Sequence, residues 1–342
     1  MAYTTINKSS LHMNTKLYTG TGSTNAQTGV GFQPDWLWLK SRSQAVNHYV
    51  FDAVRGVTKG ITTNTTSAES TKDSSWVTSF DSDGFSLGSE ANINTSSATY
   101  ASWNWKANGA GSANTDGDIA STVSVNQTAG FSISKYTATG SNATVGHGLG
   151  AVPKMIIIKD LEDSGGSNWA VYHNSIGNTK FLELNTTAAS DTSSGLWNNT
   201  TPTSGVFSIG TNSRVNNSGN DFIAYCFAEK TGYSKFGSFT GIDADDNTFV
   251  YCGFAPSWIM FKRTDSTNSW GIFDNKRDAL NPNQAVLDAE NNNAASSGAD
   301  VDFLSNGFKI RSASGLNGDG EYIYMAFGQS IVGTNNVPCT AR

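Results

Sequence analysis

At 342 residues the chain exceeds what one small core organises and suits two or three domains of about 100–150 residues each. Only 15 % of residues are charged, the net charge is −6 and no Lys/Arg cluster occurs, which excludes the electrostatic footprint of a nucleic-acid binder or of a protein adsorbed to anionic membrane. No apolar run approaches the ~20 residues that span a bilayer, and Met1-Ala2-Tyr3-Thr4-Thr5-Ile6-Asn7 lacks the regions of a signal peptide, so folding in the cytosol is expected.

In chain order, the first element is a short aromatic strand closed by a Gly turn, Lys16-Leu17-Tyr18-Thr19-Gly20. Next comes Gly31-Phe32-Gln33-Pro34 feeding Asp35-Trp36-Leu37-Trp38-Leu39-Lys40. Proline cannot donate to a ladder, so it belongs at a strand's entry. The nearly continuous apolar run behind it predicts a strand covered on both faces. Asp83-Gly84-Phe85-Ser86-Leu87 reads as a turn and a strand with one buried face, and Tyr100-Ala101-Ser102-Trp103-Asn104-Trp105 as a further core strand.

The same series recurs twice. Lead-in strands recur at Ser134-Lys135-Tyr136 and Ser234-Lys235-Phe236, and the proline entries at Pro153 and Pro256. Each proline precedes a lysine by six residues: Lys40, Lys159 and Lys262. The Gly-turn strands recur at Phe207 and Phe308, and the closing strands at Phe222–Phe227 and Tyr322–Phe327. Self-similarity at this period predicts repeated supersecondary units. The expected fold is therefore all-β, three tandem β-sandwich modules of jelly-roll or lectin-like type, with module 1 at 1–107, module 2 at 130–232 and module 3 at 233–330. Residues 108–129, rich in Gly, Ser and Asn, read as a linker, and 331–342 as a C-terminal tail. Asn283–Glu290 fits either a helical turn or a strand.

Candidate ligand-binding residues fall in two classes. Asp52 with Arg55 and Asp274 with Arg277 each combine a carboxylate and a guanidinium, suited to sugar hydroxyls or to a local ion pair that stabilises a turn. Module 2 carries Tyr172-His173-Asn174-Ser175 in their place, which favours scaffolding over a shared reaction. Trp76 and Trp197 stand outside the core strands and offer faces on which sugars stack. The aromatic core strands explain most other rings.

Cys226, Cys252 and Cys339 form no CxxC pair and read as buried small hydrophobes rather than a disulfide framework. His12, His48, His147 and His173 lack transition-metal spacing. No cofactor is expected. Asp243-Ala244-Asp245-Asp246-Asn247 and Asp81-Ser82-Asp83 carry oxygen ligands suited to a structural Ca²⁺ but read more simply as Asx turns. No nucleophile elbow, P-loop or singled-out carboxylate pair supports an enzyme, so no catalytic residue is assigned.

The opening heptad, Leu17-Tyr18-Thr19-Gly20-Thr21-Gly22, Gly31 to Lys40, Phe51-Asp52-Ala53-Val54-Arg55-Gly56, Ser82-Asp83-Gly84-Phe85 and Tyr100 to Trp105 together resemble the repetitive, tail-fibre-like structural proteins of marine tailed bacteriophages. The resemblance is specific in module 1 and looser in modules 2 and 3. It implies a virion component made in the host cytoplasm, with other phage structural proteins and host surface carbohydrate as partners. A tail fibre or receptor-binding subunit is the first expectation, a capsid decoration or head-fibre protein the second, and a surface-polysaccharide depolymerase the third. Homo-trimers suit a fibre, although three modules in one chain also offer pseudo-threefold geometry within a monomer.

Overall fold

The computed structural model describes residues 4–244, 248–311 and 318–332. Almost every element is an antiparallel strand, and the strand order repeats three times. The first set is β1 (Met13–Thr19), β2 (Asn25–Thr28), β3 (Trp36–Ser41), β4 (Tyr49–Asp52), β5 (Lys59–Thr62), β6 (Ser70–Thr71), β7 (Val77–Asp81), β8 (Gly84–Leu87) and β9 (Thr99–Trp105). It forms a large sheet in the order β1-β9-β3-β4-β5-β6 and a small sheet β2-β8-β7.

The second set is β10 (Ser112–Asn114), β11 (Ser121–Asn126), β12 (Phe131–Thr137), β13 (Ala143–Gly146), β14 (Met155–Asp160), β15 (Ala170–His173), β16 (Lys180–Glu183), β17 (Asp191–Thr192), β18 (Val206–Ile209) and β19 (Asp221–Phe227). Its large sheet runs β10-β11-β12-β19-β14-β15-β16-β17, with β13-β18 as the small one. The third set is β20 (Ser234–Gly241), β21 (Phe249–Tyr251), β22 (Pro256–Arg263), β23 (Trp270–Asp274), β24 (Leu287–Asp288), β25 (Val301–Leu304), β26 (Gly307–Ile310) and β27 (Gly320–Gly328). Here the sheets are β20-β27-β22-β23-β24 and β21-β26-β25.

Strand alternation explains the unbroken apolar runs. In β3 the odd-numbered Leu37 and Leu39 join the core that the first large sheet shares with its own small sheet, alongside Phe51, Phe85 and Tyr100. The even-numbered Trp36 and Trp38 point the other way, into a second core common to all three sets. In β14, Ile156 and Ile158 serve the private core while Met155 and Ile157 face the common one. In β22, Ile259 and Phe261 pair off against Trp258 and Met260 in the same way. Each central strand is thus wholly apolar because both of its faces are covered.

The common core closes three large sheets on one another. Trp36 stacks on Tyr225 at 4.6 Å and on Phe131 at 5.8 Å, joining the first and second sheets. Trp105 meets Trp258 edge-on at 5.6 Å and Phe327 at 5.7 Å, joining the first and third. Phe227 meets Phe327 at 6.3 Å and Phe236 at 6.0 Å, completing the triangle. The segments at Asn7 and Ile331 also meet, Ile331 N–H donating to the Asn7 carbonyl at 2.9 Å. The fold is therefore a closed body rather than beads on a string.

The expected linker is the clearest departure. Residues 108–129 contain β10 and β11, which extend the second large sheet beyond β12. Gly111 and Gly117 serve close packing: a Cβ on Gly111 would lie 2.6 Å from the Val123 backbone, and one on Gly117 2.5 Å from the Thr144 carbonyl oxygen. Within Asn283–Glu290 only Leu287–Asp288 forms a strand, β24, paired on β23, and no helix occurs there. Of the tail 331–342, only 331 and 332 lie among the described residues.

A shared aromatic core makes one residue matter to all three sheets. Trp105→Ala is expected to cost about 3–5 kcal/mol, the usual range for an aromatic deletion in a core. Chemical denaturation checks it: near-ultraviolet and far-ultraviolet signals from the whole chain should shift together to the lower midpoint.

Candidate functional site: the seams between the sheets

Charged groups singled out in the sequence converge on the seams where the large sheets meet. Asp52 lies opposite Trp36 in the ladder, Asp274 opposite Trp258 and His173 opposite Met155, so the three occupy one equivalent position. Each uses one side-chain atom to hold its own turn. Asp52 Oδ1 accepts the Arg55 backbone N–H at 2.9 Å, Asp274 Oδ1 that of Arg277 at 2.8 Å, and His173 Nδ1 that of Ser175 at 3.2 Å.

The other atom of each reaches the next sheet. Asp52 Oδ2 accepts the Tyr225 hydroxyl at 2.8 Å, linking first to second. His173 Nε2 donates to the Tyr324 carbonyl at 3.2 Å, linking second to third. Asp274 Oδ2 accepts Trp103 Nε1–H at 3.0 Å, linking third back to first. Trp103, Tyr225 and Met325 are themselves equivalent in register. Met325 offers no polar hydrogen, so the residue facing it turns to a backbone carbonyl, and a donor replaces the acidic acceptor. That is why the second set carries His where the others carry Asp.

Burial decides what these groups can do. The Arg55–Asp52 and Arg277–Asp274 pairs, at 2.6 and 2.5 Å, have side chains no more than 1 % exposed. Burial, with the Asp52 carboxylate beside it, holds the Tyr225 hydroxyl protonated well above its ordinary value. Burial pushes His173 down to about 4, keeping it neutral as its contacts require. As ligand-binding residues, Asp52, Arg55, Asp274 and Arg277 are corrected: their side chains are no more than 1 % exposed, so no sugar reaches them without opening a seam, and their carboxylate oxygens are spent inside it.

The lysines six residues after the prolines form a second ring. Lys40 Nζ donates to the Val46 carbonyl at 2.9 Å and to Asn292 of the third set at 3.1 Å. Lys159 Nζ donates to Ser167 at 2.5 Å and to Thr66 of the first set at 2.9 Å. Lys262 Nζ donates to Arg263 at 2.7 Å and to Thr187 of the second set at 3.2 Å. Backbone bonds follow the same circuit: Glu69 N–H to Leu161, Ser190 N–H to Thr264 and Ala295 N–H to Arg42, at 2.8–2.9 Å.

These loops carry a landmark the sequence reading missed. Asn64 accepts the His48 backbone N–H at 3.0 Å, Asn185 that of Trp169 at 2.9 Å and Glu290 that of Trp270 at 3.0 Å. Trp169 Nε1 and Trp270 Nε1 then donate across the seam to the Thr62 and Glu183 carbonyls, at 3.0 and 2.9 Å. The signal lay in Asn64-Thr65-Thr66-Ser67-Ala68 and Asn185-Thr186-Thr187-Ala188-Ala189; in Glu290-Asn291-Asn292-Asn293-Ala294 the leading amide has become a carboxylate.

Neither loop tryptophan presents a free face. Trp197 is 2 % exposed, donates Nε1–H to the Lys180 carbonyl at 3.0 Å and packs edge-on against Tyr172 at 5.7 Å. Its expected sugar platform is corrected, because it roofs the second private core. Trp76 is half-buried, with Tyr49 edge-on at 4.7 Å and Lys72 Nζ 4.0 Å above the ring. Cys226 and Cys252 are buried free thiols, while Cys339 lies outside the described residues. No cluster of three or more metal-type side chains occurs among the described residues, and Asp245, Asp246 and Asn247 fall outside them. Open surface grooves occur among the described residues. One, of about 430 Å³, runs past His12, Lys106 and Asn126; another, of about 320 Å³, is lined by Ser121, Thr137 and the ion-paired Lys135 and Asp221.

The model of a domain of unknown function, DUF7483, matches residues 8–330, across all three strand sets. No curated protein and no solved structure matches the chain. Among the described residues no helix is long and apolar enough to cross a membrane.

Burial pushes Lys40, Lys159 and Lys262 down to about 8. The unfolded chain, with lysines near 10.5, therefore binds more protons between pH 8 and 10.5, and this contribution to stability rises with pH across that window. Between pH 8 and 9.5 wild type should gain about 1–2 kcal/mol over Lys159→Met, read as the difference between their urea-unfolding free energies at each pH.

Proposed function

The chain belongs to the DUF7483 family of unknown function, and we propose that it is a structural, non-catalytic subunit of a tailed-phage particle. Its most fitting place is a tail fibre or receptor-binding component that meets host surface glycans. One observation carries this reading: the polar groups that stand at equivalent positions in the three sets, Asp52, His173 and Asp274 with Lys40, Lys159 and Lys262, all bond across to the neighbouring sheet. What faces solvent around the crossing loops is hydroxyl and amide, as in exposed Thr66, Thr187 and Asn292. Such groups hydrogen-bond sugar hydroxyls without carrying a reactive centre.

A body stapled at every seam suits mechanical exposure, since no sheet separates without breaking an aromatic contact and a buried polar bond together. Closing three sheets around one core within one chain also makes a homotrimer unnecessary for threefold shape. The resemblance of the first strand set to tail-fibre-like proteins supports the same conclusion.

Immunogold labelling of intact particles carrying this chain tests the reading. Label at the tail is the expected result. Label confined to the head would move the protein to capsid decoration, and absence from purified particles would overturn the virion assignment. Release of oligosaccharide from host envelope material by the purified protein would overturn the non-catalytic part.

A further inference from the structure

The three small sheets differ most at their outer edge. Val145, Val250 and Gln27 are equivalent, each opposite a core phenylalanine: Phe207, Phe308 and Phe85. In the second set the strand edge beside Val145 is closed by the chain itself. Ile119 N–H donates to the Thr144 carbonyl at 3.0 Å, and Thr144 N–H donates to Asp118 Oδ2 at 3.0 Å. In the first set the edge strand β2 presents only Asn25, Ala26, Gln27 and Thr28, small or polar and poorly suited to adhesion.

The third set has neither protection. β21 ends its sheet and pairs only with β26. Cys252 N–H donates to Asn306, and Ile310 N–H donates to the Thr248 carbonyl, so the even-numbered residues turn their backbone groups inward. Phe249 and Tyr251 therefore turn their N–H and C=O groups outward, where nothing among the described residues pairs with them. Their side chains are 45 % and 62 % exposed, and Ile242, 44 % exposed, follows the end of β20. The strand contains no charge, proline or bulge, the usual devices that keep an edge from pairing.

We propose that the β21 edge is a self-association surface, taking the β21 of a second copy of this chain in antiparallel register about a twofold axis through Val250. The occupant follows from the strand's own self-complementarity. An antiparallel twofold on Val250 places Phe249 opposite Tyr251 of the second copy, and Tyr251 opposite its Phe249. Both are hydrogen-bonded positions, so the four outward N–H groups of the pair meet the four outward carbonyls. The same register makes two cross-strand Phe/Tyr pairs, a combination that stabilises antiparallel sheets. The two small sheets become one six-stranded sheet, and the interface is isologous and closed, so it yields a dimer and not a filament. This surface is independent of the proposed function.

Sedimentation velocity of the full chain from about 1 to 200 μM tests it, together with Phe249→Lys/Tyr251→Lys. Both substitutions fall at exposed positions and remove no β21–β26 backbone hydrogen bond, and because Phe249→Lys faces Lys309 across that ladder, an unchanged unfolding midpoint is the check that the ladder holds. The expected result is a concentration-dependent dimer whose dissociation constant rises at least ~100-fold in the double variant, as like charges meet across the pair. Tyr251→Pro, which removes only an outward N–H, should weaken it too. Wild type that stays monomeric throughout overturns the proposal. So does a double variant that associates as wild type does. Backbone amide exchange gives an independent reading: Phe249 and Tyr251 should slow as concentration rises, and slowing confined to other segments also overturns it.

Discussion

The constraint that organises this molecule is that each large sheet is apolar on both faces. One face is covered by the small sheet of the same strand set, while the other carries Trp36, Trp38, Trp103, Trp105, Tyr225, Phe227, Trp258 and Phe327 and has no local cover. Three such faces bury one another, removing a large aromatic area from water at roughly 25 cal/mol per Å². The polar groups follow from that closure. A carboxylate or imidazole carried into such a seam costs several kcal/mol unless it is met, so the complement appears on the facing strand: a phenol, an indole N–H, or a carbonyl where methionine offers nothing. Buried pairs of this kind specify which sheet meets which more than they add net stability.

Much of this was legible in the residues. Proline entry, aromatic run and lysine at a fixed step mark β3, β14 and β22, and strand periodicity identified the Phe85, Phe207 and Phe308 strands. Uninterrupted hydrophobicity correctly implied burial on both sides, because an alternating pattern would have left one face wet. What covers the second face is a tertiary fact with no local signature. The Asp-x-x-Arg turns were visible as local ion pairs, yet their outward oxygens bond to residues some 170 positions away. No spacing rule reveals such a partner.

Two readings failed for instructive reasons. Gly, Ser and Asn between 108 and 129 suggested a flexible linker, but glycine serves close backbone approach as readily as disorder, and here the strands crowd it. Trp197 suggested a binding surface because it stood outside the obvious core strands, and the two Asp/Arg pairs because a carboxylate beside a guanidinium suits sugar hydroxyls as well as the turn it does hold. They lie instead under a loop and within a seam. The missing Asp-Arg pair of the second set was the better clue. A position that changes from Asp to His while its framework persists is answering a neighbour, and the neighbour belongs to the next sheet.

These relations make the three strand sets one thermodynamic unit, even though each has a private core large enough to suggest independence. Differential scanning calorimetry of the full chain tests that claim most directly. The account predicts one transition whose van't Hoff enthalpy equals the calorimetric enthalpy. Two or three resolved transitions, or a van't Hoff enthalpy near a third of the calorimetric one, would contradict it.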